Sequence, residues 1–403
     1  MVATDEVEID GLQDRTRPRI GATLAPSLSL AFHQNSVPLV RELFVDNPGD
    51  AALSDILLTI QSEPDFLTPR TWRIDRIAAN ARYHITDRDV GLNGGHLAKL
   101  TEAERISVVL TLEADGEEHG QFAMPLDLLP RMHWSGIGHV PEMVAAFVQP
   151  NDPAIDRILK KASDVLHRNG LPSAVNGYEG GPKRAWDLAS SIWTAVGGMG
   201  LSYALPPASF EQTGQKVRGA SEILEAGIAT CLDTTLLFAA CLEQAGLNPV
   251  TVFTQGHSFV GVWLKKEEFA TAVIDDVTAL RKRVKLKELV LFETTLATAR
   301  PCASFAQAVN KGAEQISDAL DDRFELAVDI ARCRTQRILP LASAEAASPR
   351  RQLHKSLWLN RPSSPRPICR KKRPPGTICQ PRRRGGSTAG TASCSICPCG
   401  TRC

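Results

Sequence analysis

The stretch ATCLDTTLLFAACLEQAGLNPVTVFTQGHSFVGVWL, residues 229–264, carries most of the information about fold and function. Thr230 is a preferred N-cap residue, and Asp233 three positions later completes a T-x-x-D form of the capping box. This pattern predicts a helix that begins at Cys231 and ends near Gly246. A thiol at a helix N-terminus faces unpaired N–H groups and the positive end of the dipole, which favour the thiolate. We therefore interpret Cys231 as a candidate nucleophile.

The same stretch contains a candidate base. After the predicted helix, the pattern indicates two strands joined by a Gln255-Gly256 turn, with His257 at the start of the second strand. A Cys–His pair needs proximity in space rather than in sequence, so a separation of 26 residues is acceptable. Cys241 lies in the middle of the predicted helix among Ala and Leu, which predicts an inert core residue.

A third group should orient the imidazole. Glu293 follows the apolar run LVLF, whereas Asp275 and Asp276 belong to a charged stretch that is predicted to be helical. We favour Glu293, with Asp276 as the alternative acid, because a carboxylate at the end of an apolar strand is better placed for partial burial. The backbone N–H of the candidate nucleophile and the side chain of Gln215 are candidate oxyanion donors, although Gln215 fits an ordinary loop position equally well.

These motifs carry a family resemblance over about residues 185–300. TCLDTTLLFAACLEQAGLNPVTVF resembles the Cys helix of the transglutaminase-like, papain-related fold, and GHSFVGVWL resembles its His strand. LVLFETT resembles its acid strand, with Glu in place of Asp. The resemblance implies a Cys-His-Glu/Asp triad that acts on amide bonds of a peptide or protein substrate, as a hydrolase or an acyltransferase. The 36 residues between His257 and Glu293 exceed the spacing of many active relatives, so the fold must accommodate an insertion.

A narrower resemblance leaves a non-catalytic function open. PPASFEQTGQKVRGASEIL, together with AAFVQPN and RILPL, is similar to the N-terminal region of large bacterial superfamily-one helicase proteins. That resemblance implies ATPase motors further along the chain. The sequence has no G-x-x-x-x-G-K-[ST] phosphate loop, so ATP hydrolysis is not assigned to it. The alternative function is therefore an inactive binding or regulatory module, an N-terminal fragment of a DNA helicase-related protein.

The rest of the sequence predicts an α+β fold with two domains. Residues 21–133 contain short alternating segments separated by turn residues, which predict an antiparallel β-sandwich, and VRELFVDN resembles strands of immunoglobulin-like bacterial modules. Residues 134–340 form the predicted transglutaminase-like domain, with helices in its N-terminal part. Within it, residues from about 300 to 330 are predicted to be mainly helical. Residues 1–20 are expected to be a disordered lead-in.

The C-terminal part differs in composition from the rest of the chain. Residues 349–403 contain 13 of the 46 Lys and Arg residues and no acid, which leaves 33 basic and 45 acidic residues elsewhere. We predict that residues 341–403 form a disordered basic tail. Its Arg, Pro, Gly, Ser and Cys are also typical of a GC-rich gene translated out of frame, so we favour a frameshift after Leu341. The alternative is a genuine tail that contacts nucleic acid or anionic surfaces.

Composition also restricts location and partners. No run approaches the ~18–20 apolar residues of a membrane span, and the acidic N-terminus does not resemble a signal peptide. Four scattered cysteines before the tail indicate a reducing compartment, so we expect a cytoplasmic protein without a membrane partner. No cofactor or metal is expected, because CSICPC in the tail lacks a second pair of ligands. Nucleic-acid contact is expected only through the tail or a lost helicase region.

Overall fold

The computed structural model describes residues 17–342, which form a mixed α+β fold with several sheets. The α+β class predicted from the sequence is therefore confirmed. The predicted lead-in, residues 1–20, overlaps this range only at its end, where the first strand begins at Arg19. The predicted basic tail, residues 341–403, overlaps it only at Leu341 and Ala342, so its proposed disorder and frameshift lie outside the described residues.

The first part of the chain, residues 19–128, forms two sheets. Its strands are β1 (Arg19–Leu24), β2 (Ser27–Leu28), β3 (Val40–Asn47), β4 (Leu53–Glu63), β5 (Arg70–Ile77), β6 (Ala81–His84), β7 (Glu104–Ala114) and β8 (Glu117–Leu128), and its helices are α1 (Leu30–Gln34) and α2 (Gly94–Lys99). One sheet has the order β1-β3-β6 and the other β2-β8-β7-β4-β5. All neighbours in these sheets are antiparallel except the short β2–β8 pair.

Alternating side chains explain why these segments form half-buried strands. In β4, Ile56, Leu58 and Ile60 are fully buried, while the residues between them are less so. Successive side chains of a strand point to opposite faces, so one face of β4 packs into the core. A turn follows β3, and the Asn47 side chain accepts a hydrogen bond from the backbone N–H of Gly49 at 3.2 Å.

The second part of the chain contains most of the helices. Its strands are β9 (His133–Trp134), β10 (Ser202–Tyr203), β11 (Gln215–Lys216), β12 (Ile228–Ala229), β13 (Pro249–Thr254), β14 (His257–Trp263), β15 (Val273–Ile274), β16 (Leu289–Phe292) and β17 (Phe324–Asp329). Its α-helices are α3 (Pro153–Arg168), α4 (Gly181–Gly197), α5 (Phe210–Thr213), α6 (Ala220–Ala226), α7 (Cys231–Gln244), α8 (Val277–Lys285), α9 (Phe305–Gln315) and α10 (Ile330–Thr335). Three 3-10 helices cover Pro141–Phe147, Thr294–Thr298 and Asp318–Arg323.

An antiparallel sheet of order β15-β17-β13-β14-β16 forms the centre of this part. Its two faces contribute to different apolar clusters. Val260 and Val262 of β14 belong to the cluster that contains α7, whereas Phe259 and Trp263 pack with Leu280 of α8. Because helices cover both faces, β13 is buried at every position and β14 at every position after its first residue.

The prediction that residues from about 300 to 330 are mainly helical is wrong at its C-terminal end. The segment contains helix α9 and a 3-10 helix, but Phe324–Asp329 forms strand β17 between β13 and β15. A short apolar run such as Leu326–Val328 does not distinguish a buried strand from a buried helix by its periodicity. Pairing with β13 and β15 selects the strand, because it satisfies the backbone groups of this buried segment.

The predicted domain boundary at residue 133 lies inside packed structure. Strand β9 pairs with β11, and the ring of Trp134 stacks on Phe253 of β13 at a centroid distance of 5.0 Å. A single cluster of buried apolar residues extends from Leu24 to Leu341. Among residues 17–342, no helix is both long enough and apolar enough to cross a membrane.

Candidate active site

Cys231 is the first residue of α7, as the sequence predicts. The Thr230 hydroxyl accepts a hydrogen bond from the backbone N–H of Asp233 at 3.2 Å, and the Asp233 carboxylate accepts one from the N–H of Thr230 at 2.9 Å. Both halves of the capping box are therefore present. The thiol lies where the unpaired N–H groups and the positive end of the helix dipole favour an anion.

Asp233 also anchors the preceding loop to α7. Its fully buried carboxylate accepts from the backbone N–H and from the guanidinium of Arg218, both at 2.8 Å. Charge-assisted hydrogen bonds of this length are about twice as strong as neutral ones. The start of α7 is therefore held from inside the helix and from the loop.

His257 and Glu293 are brought together by neighbouring strands. His257 is the first residue of β14, and Glu293 directly follows β16, which pairs with β14 in an antiparallel register. The distance between His257 Nε2 and Glu293 Oε2 is 2.6 Å. The second carboxylate oxygen, Oε1, accepts from the backbone N–H of Thr295 at 3.0 Å and from its hydroxyl at 2.7 Å. Because Glu293 occupies Nε2, the other ring nitrogen, Nδ1, is the one available to the thiol.

The charges of this pair reinforce each other. Burial alone lowers the pKa of His257, but hydrogen bonding to Cys231 and Glu293 outweighs that effect and raises the pKa to about 9. Burial raises the pKa of Glu293, but the hydrogen bond and charge of His257 outweigh it, so that this pKa is lowered overall. The arrangement therefore favours an imidazolium beside a carboxylate at neutral pH.

The thiol itself is covered. Cys231 has no exposed surface, and Tyr203 lies close enough to act on it electrostatically. Strand β10, which carries Tyr203, pairs in parallel with β12 immediately before Cys231. Burial raises the pKa of Tyr203, and hydrogen bonding and charge from Cys231 raise it further. No sequence motif indicates Tyr203 as a site residue, because its proximity to the thiol depends on this two-residue strand pairing.

Two further candidate residues lie in different surroundings. Gln215 is buried and donates from Nε2 to the Thr230 hydroxyl at 3.3 Å, so it lies at the start of the Cys231 helix. Asp276 is the exposed N-cap of α8, where it accepts from the backbone N–H and hydroxyl of Thr278. The structure therefore brings Gln215 to the site, whereas Asp276 caps its own helix and Glu293 is the acid bonded to His257.

Buried hydroxyl groups connect the elements that carry the three candidate residues. Thr234 of α7 is bonded to Thr294, the residue after Glu293, with an Oγ1–Oγ1 distance of 3.0 Å. Thr235 donates to Ser258, the residue after His257, at 3.4 Å. Such a satisfied polar network fixes the relative positions of α7, β14 and the acid. In the sequence, the run of threonines is the feature that corresponds to this network. Such a run is also typical of an ordinary helix.

A pocket of about 250 Å³ opens beside the imidazole and the carboxylate. The residues that line it are His257, Glu293, Thr295, Leu296, Lys311, Gln315 and Arg323. Within residues 17–342, no three His, Cys, Asp or Glu side chains are grouped so as to hold a metal ion.

Comparison with known proteins leaves the geometry as the basis for functional inference. No protein-family model matches the sequence, and no curated protein is significantly similar to it.

Proposed function

We propose that this chain contains a transglutaminase-like cysteine hydrolase or acyltransferase site, with Cys231 as nucleophile, His257 as acid and base, and Glu293 as the group that orients the imidazole. The observation that carries the proposal is the 2.6 Å contact between His257 Nε2 and Glu293 Oε2, beside a thiol at a capped helix N-terminus. A nucleophile, a base and a group that orients the base are the parts that acyl transfer through a thiol requires.

In the proposed reaction, Cys231 first forms and then releases a bond to the acyl group, and His257 first donates and then accepts a proton. The Cys231 thiolate attacks the carbonyl carbon of an amide, and the C–N bond breaks as the His257 imidazolium gives its proton to the leaving nitrogen. The product is a thioester on Cys231 and a free amine. His257, now neutral, takes a proton from water or from a second amine, which attacks the thioester; the C–S bond breaks and the Cys231 thiolate is released beside the imidazolium. Water gives a hydrolase, and an amine gives an acyltransferase.

Two donors at the start of α7 are candidates to stabilise the tetrahedral oxyanion. The backbone N–H of Cys231 is the first of the helix and has no intrahelical carbonyl partner. The Gln215 amide, bonded to the Thr230 hydroxyl at 3.3 Å, is the second. Removal of one such donor typically costs about 10²–10³ in kcat.

The finer fold assignments belong to the same proposal. A helix that begins at the cysteine, followed by antiparallel strands β13, β14 and β16 carrying the histidine and the acid, supports a transglutaminase-like arrangement. The 36-residue separation of His257 and Glu293 is accommodated by β15 and α8, since β15 pairs with β17 at the far edge of the sheet. The two sheets of residues 19–128 support an immunoglobulin-like sandwich.

One observation favours a second function, a binding or regulatory module without activity. Cys231 has no exposed surface, so no substrate carbonyl reaches the thiol in this conformation. In this case the capped helix and the His257–Glu293 pair serve only the architecture. The helicase-related context and any nucleic-acid contact of the tail belong to this second proposal.

Alkylation of the cysteines distinguishes the two functions. The protein is treated with iodoacetamide between pH 5 and 9, and peptide mass spectrometry measures the rate at each cysteine. Cys302 is the internal reference, because it is exposed and burial raises its pKa. At pH 6.5 we expect Cys231 to react at least about tenfold faster than Cys302, because the helix terminus and the imidazolium stabilise the thiolate. His257→Ala should abolish this advantage.

Burial of the thiol requires a second variant. Tyr203 is 40% exposed and close enough to Cys231 to act on it electrostatically, so we expect Tyr203→Ala to make the thiol more accessible. If Cys231 reacts no faster than Cys302 at pH 6.5 both in the natural protein and in Tyr203→Ala, the proposal of an activated nucleophile is wrong and the module is favoured. A Cys231→Ser protein identifies the peptide that carries the reactive thiol.

A further inference from the structure

The pocket beside His257 adjoins the imidazole and the carboxylate of the proposed reaction centre, but not the thiol. Its walls include His257 and Glu293, but Cys231 is not among the residues that line it. In acyl transfer through a thiol, the acyl group is attached to the cysteine, while the imidazole exchanges a proton with the leaving or incoming nitrogen. A group in this pocket would therefore belong to the amine side of the substrate.

The pocket contains the guanidinium of Arg323, which no carboxylate of residues 17–342 neutralises. Arg323 is attached to the turn before His257: the backbone N–H of Gln255 donates to the Arg323 carbonyl at 2.8 Å, and Arg323 Nη2 donates to the Gln255 carbonyl at 3.3 Å. The Gln255 side chain adds a bond to the carbonyl of Asp322 at 3.0 Å. Within residues 17–342, the guanidinium of Arg323 has no carboxylate partner within 4 Å, in contrast to Arg281 on the neighbouring helix.

The other charges of the pocket are paired. Glu293 is bonded to His257, and Lys311 of α9 is bonded to Glu314 at 2.9 Å. The hydrogen bond to Glu314 raises the pKa of Lys311, and the charge of Glu293 adds to the rise, so this side chain is cationic and close to the site. With an imidazolium at His257, the net charge of the pocket is positive because of Arg323.

We propose that this pocket binds the carboxylate of an acidic residue on the amine side of the substrate, an Asp or Glu directly after the bond that is cut or formed. Arg323 is the main contact and Lys311 assists it. The volume of about 250 Å³ is at or below the lower end of ligand pockets, which suits one side chain rather than a larger molecule. This inference rests on the proposed function, since it names the substrate class of the same site.

Binding of two dipeptide amides tests the proposal without any chemical step. Glu-Gly-amide and Gln-Gly-amide are titrated into the full-length Cys231→Ser protein, and the NMR signal of the His257 ring reports occupancy. We expect Glu-Gly-amide to bind about tenfold more tightly, because a charge-assisted contact with a guanidinium contributes on this scale. Arg323→Gln should remove the preference, and higher salt should weaken it. The matched control is Lys285→Gln, an exposed cation of α8 outside the pocket.

The outcomes separate this inference from the proposed function. Equal binding of the two dipeptides, no binding of either, or a preference that survives Arg323→Gln would each overturn the acidic-substrate proposal, even if Cys231 proves reactive. An Arg323-dependent preference for Glu-Gly-amide combined with an unreactive thiol would instead retain the pocket and remove the catalytic proposal. Lys311→Gln should reduce the preference less than Arg323→Gln does.

Discussion

Cys231 and Cys241 lie on the same helix in different surroundings. Cys241 is in the helix interior, where burial among apolar side chains raises its pKa and keeps it a neutral thiol. Cys231 has equally little exposed surface, but it lies at the helix N-terminus and near the imidazolium of His257. Burial therefore does not distinguish the two thiols, whereas the electrostatic surroundings do.

The pKa of His257 provides a residue-level prediction. Replacement of the acid in Glu293→Gln should lower the pKa of His257 from about 9 towards 6.5, by about 1–3 pH units, because an adjacent negative charge is removed. Because folding raises the pKa of His257, protonation of this ring stabilises the protein fully below pH 6.5 while Glu293 is ionised, and the stabilisation is lost as pH rises through 9. We expect the variant to lose less stability than the natural protein between these pH values. The measurements are NMR titration of the His257 ring and urea unfolding at several pH values.

Asp276→Asn is the matched control for this prediction. It also removes one carboxylate, but from an exposed helix cap that bonds Thr278 rather than His257. Its NMR titration of His257 should match that of the natural protein. An equal fall of the His257 pKa in both variants, or in neither, would contradict the assignment of Glu293 as the orienting acid.

The parts of the site that depend on local sequence could be predicted, and the parts that depend on remote pairing could not. The helix start at Cys231 follows from Thr230 and Asp233, which are its neighbours in sequence. The choice of Glu293 over Asp276 follows from the apolar strand before it, which predicts burial. Tyr203 had no such local signal, because strand pairing 26 residues further along the chain brings it to the thiol.

At the scale of single elements, the stability of helix α7 depends strongly on the carboxylate of Asp233. Asp233→Ala removes half of the capping box and leaves the guanidinium of Arg218 without its buried partner. We expect a loss of about 3–4 kcal/mol in the free energy of unfolding, because the removal of one partner from a buried pair is costly. Urea unfolding with an unchanged m-value measures it.

An exposed pair provides the comparison for Asp233. Asp164 of α3 pairs with Lys160 at the surface, and both side chains are more than half exposed. Asp164→Ala should therefore change the free energy of unfolding much less than Asp233→Ala does. A loss below about 1 kcal/mol in Asp233→Ala would show that the cap and the ion pair contribute little to the stability of α7.

Local sequence patterns predict some strands of the central sheet but not others. The β13–β14 hairpin follows from two apolar runs around Gln255-Gly256, and the structure contains it. Strand β17 is not predicted by its local pattern, because its short apolar core fits a helix equally well. Pairing with β13 and β15 selects the strand. The propensity of a short segment is thus a weak guide when tertiary hydrogen bonds decide its structure.

At the scale of the whole molecule, the end of the described chain returns to its beginning. The backbone N–H of Leu339 donates to the side chain of Asn35 at 2.7 Å, and the N–H of Leu341 donates to the carbonyl of Ala146 at 2.8 Å. Arg131 bonds the carbonyl of Ala342. These contacts join the last residues to elements on both sides of the predicted boundary at residue 133. The division into two domains at residue 133 stays a prediction, which unfolding experiments can test.

Arg334 of α10 connects several elements of the second part of the chain. Its guanidinium forms a bidentate pair with Glu243 of α7 at 2.8 and 3.0 Å, and it also donates to the carbonyls of Ala145, Val148 and Ile338. Both members of the pair are about four-fifths buried. All of these partners lie within residues 134–340, so loss of the contacts affects residues 21–133 only through the continuous apolar core.

Calorimetry of Arg334→Met tests whether the two predicted domains unfold as one. We expect a single transition for residues 17–342 in the natural protein and in the variant, with the midpoint lowered by about 5–10 °C, because a broken buried pair costs about 3–5 kcal/mol. Arg105→Gln removes an exposed pair with Asp127 and should leave the midpoint within about 2 °C. Two transitions, of which Arg334→Met shifts only one, would show that residues 21–133 and 134–340 are independent folding units and that the continuous core does not couple them.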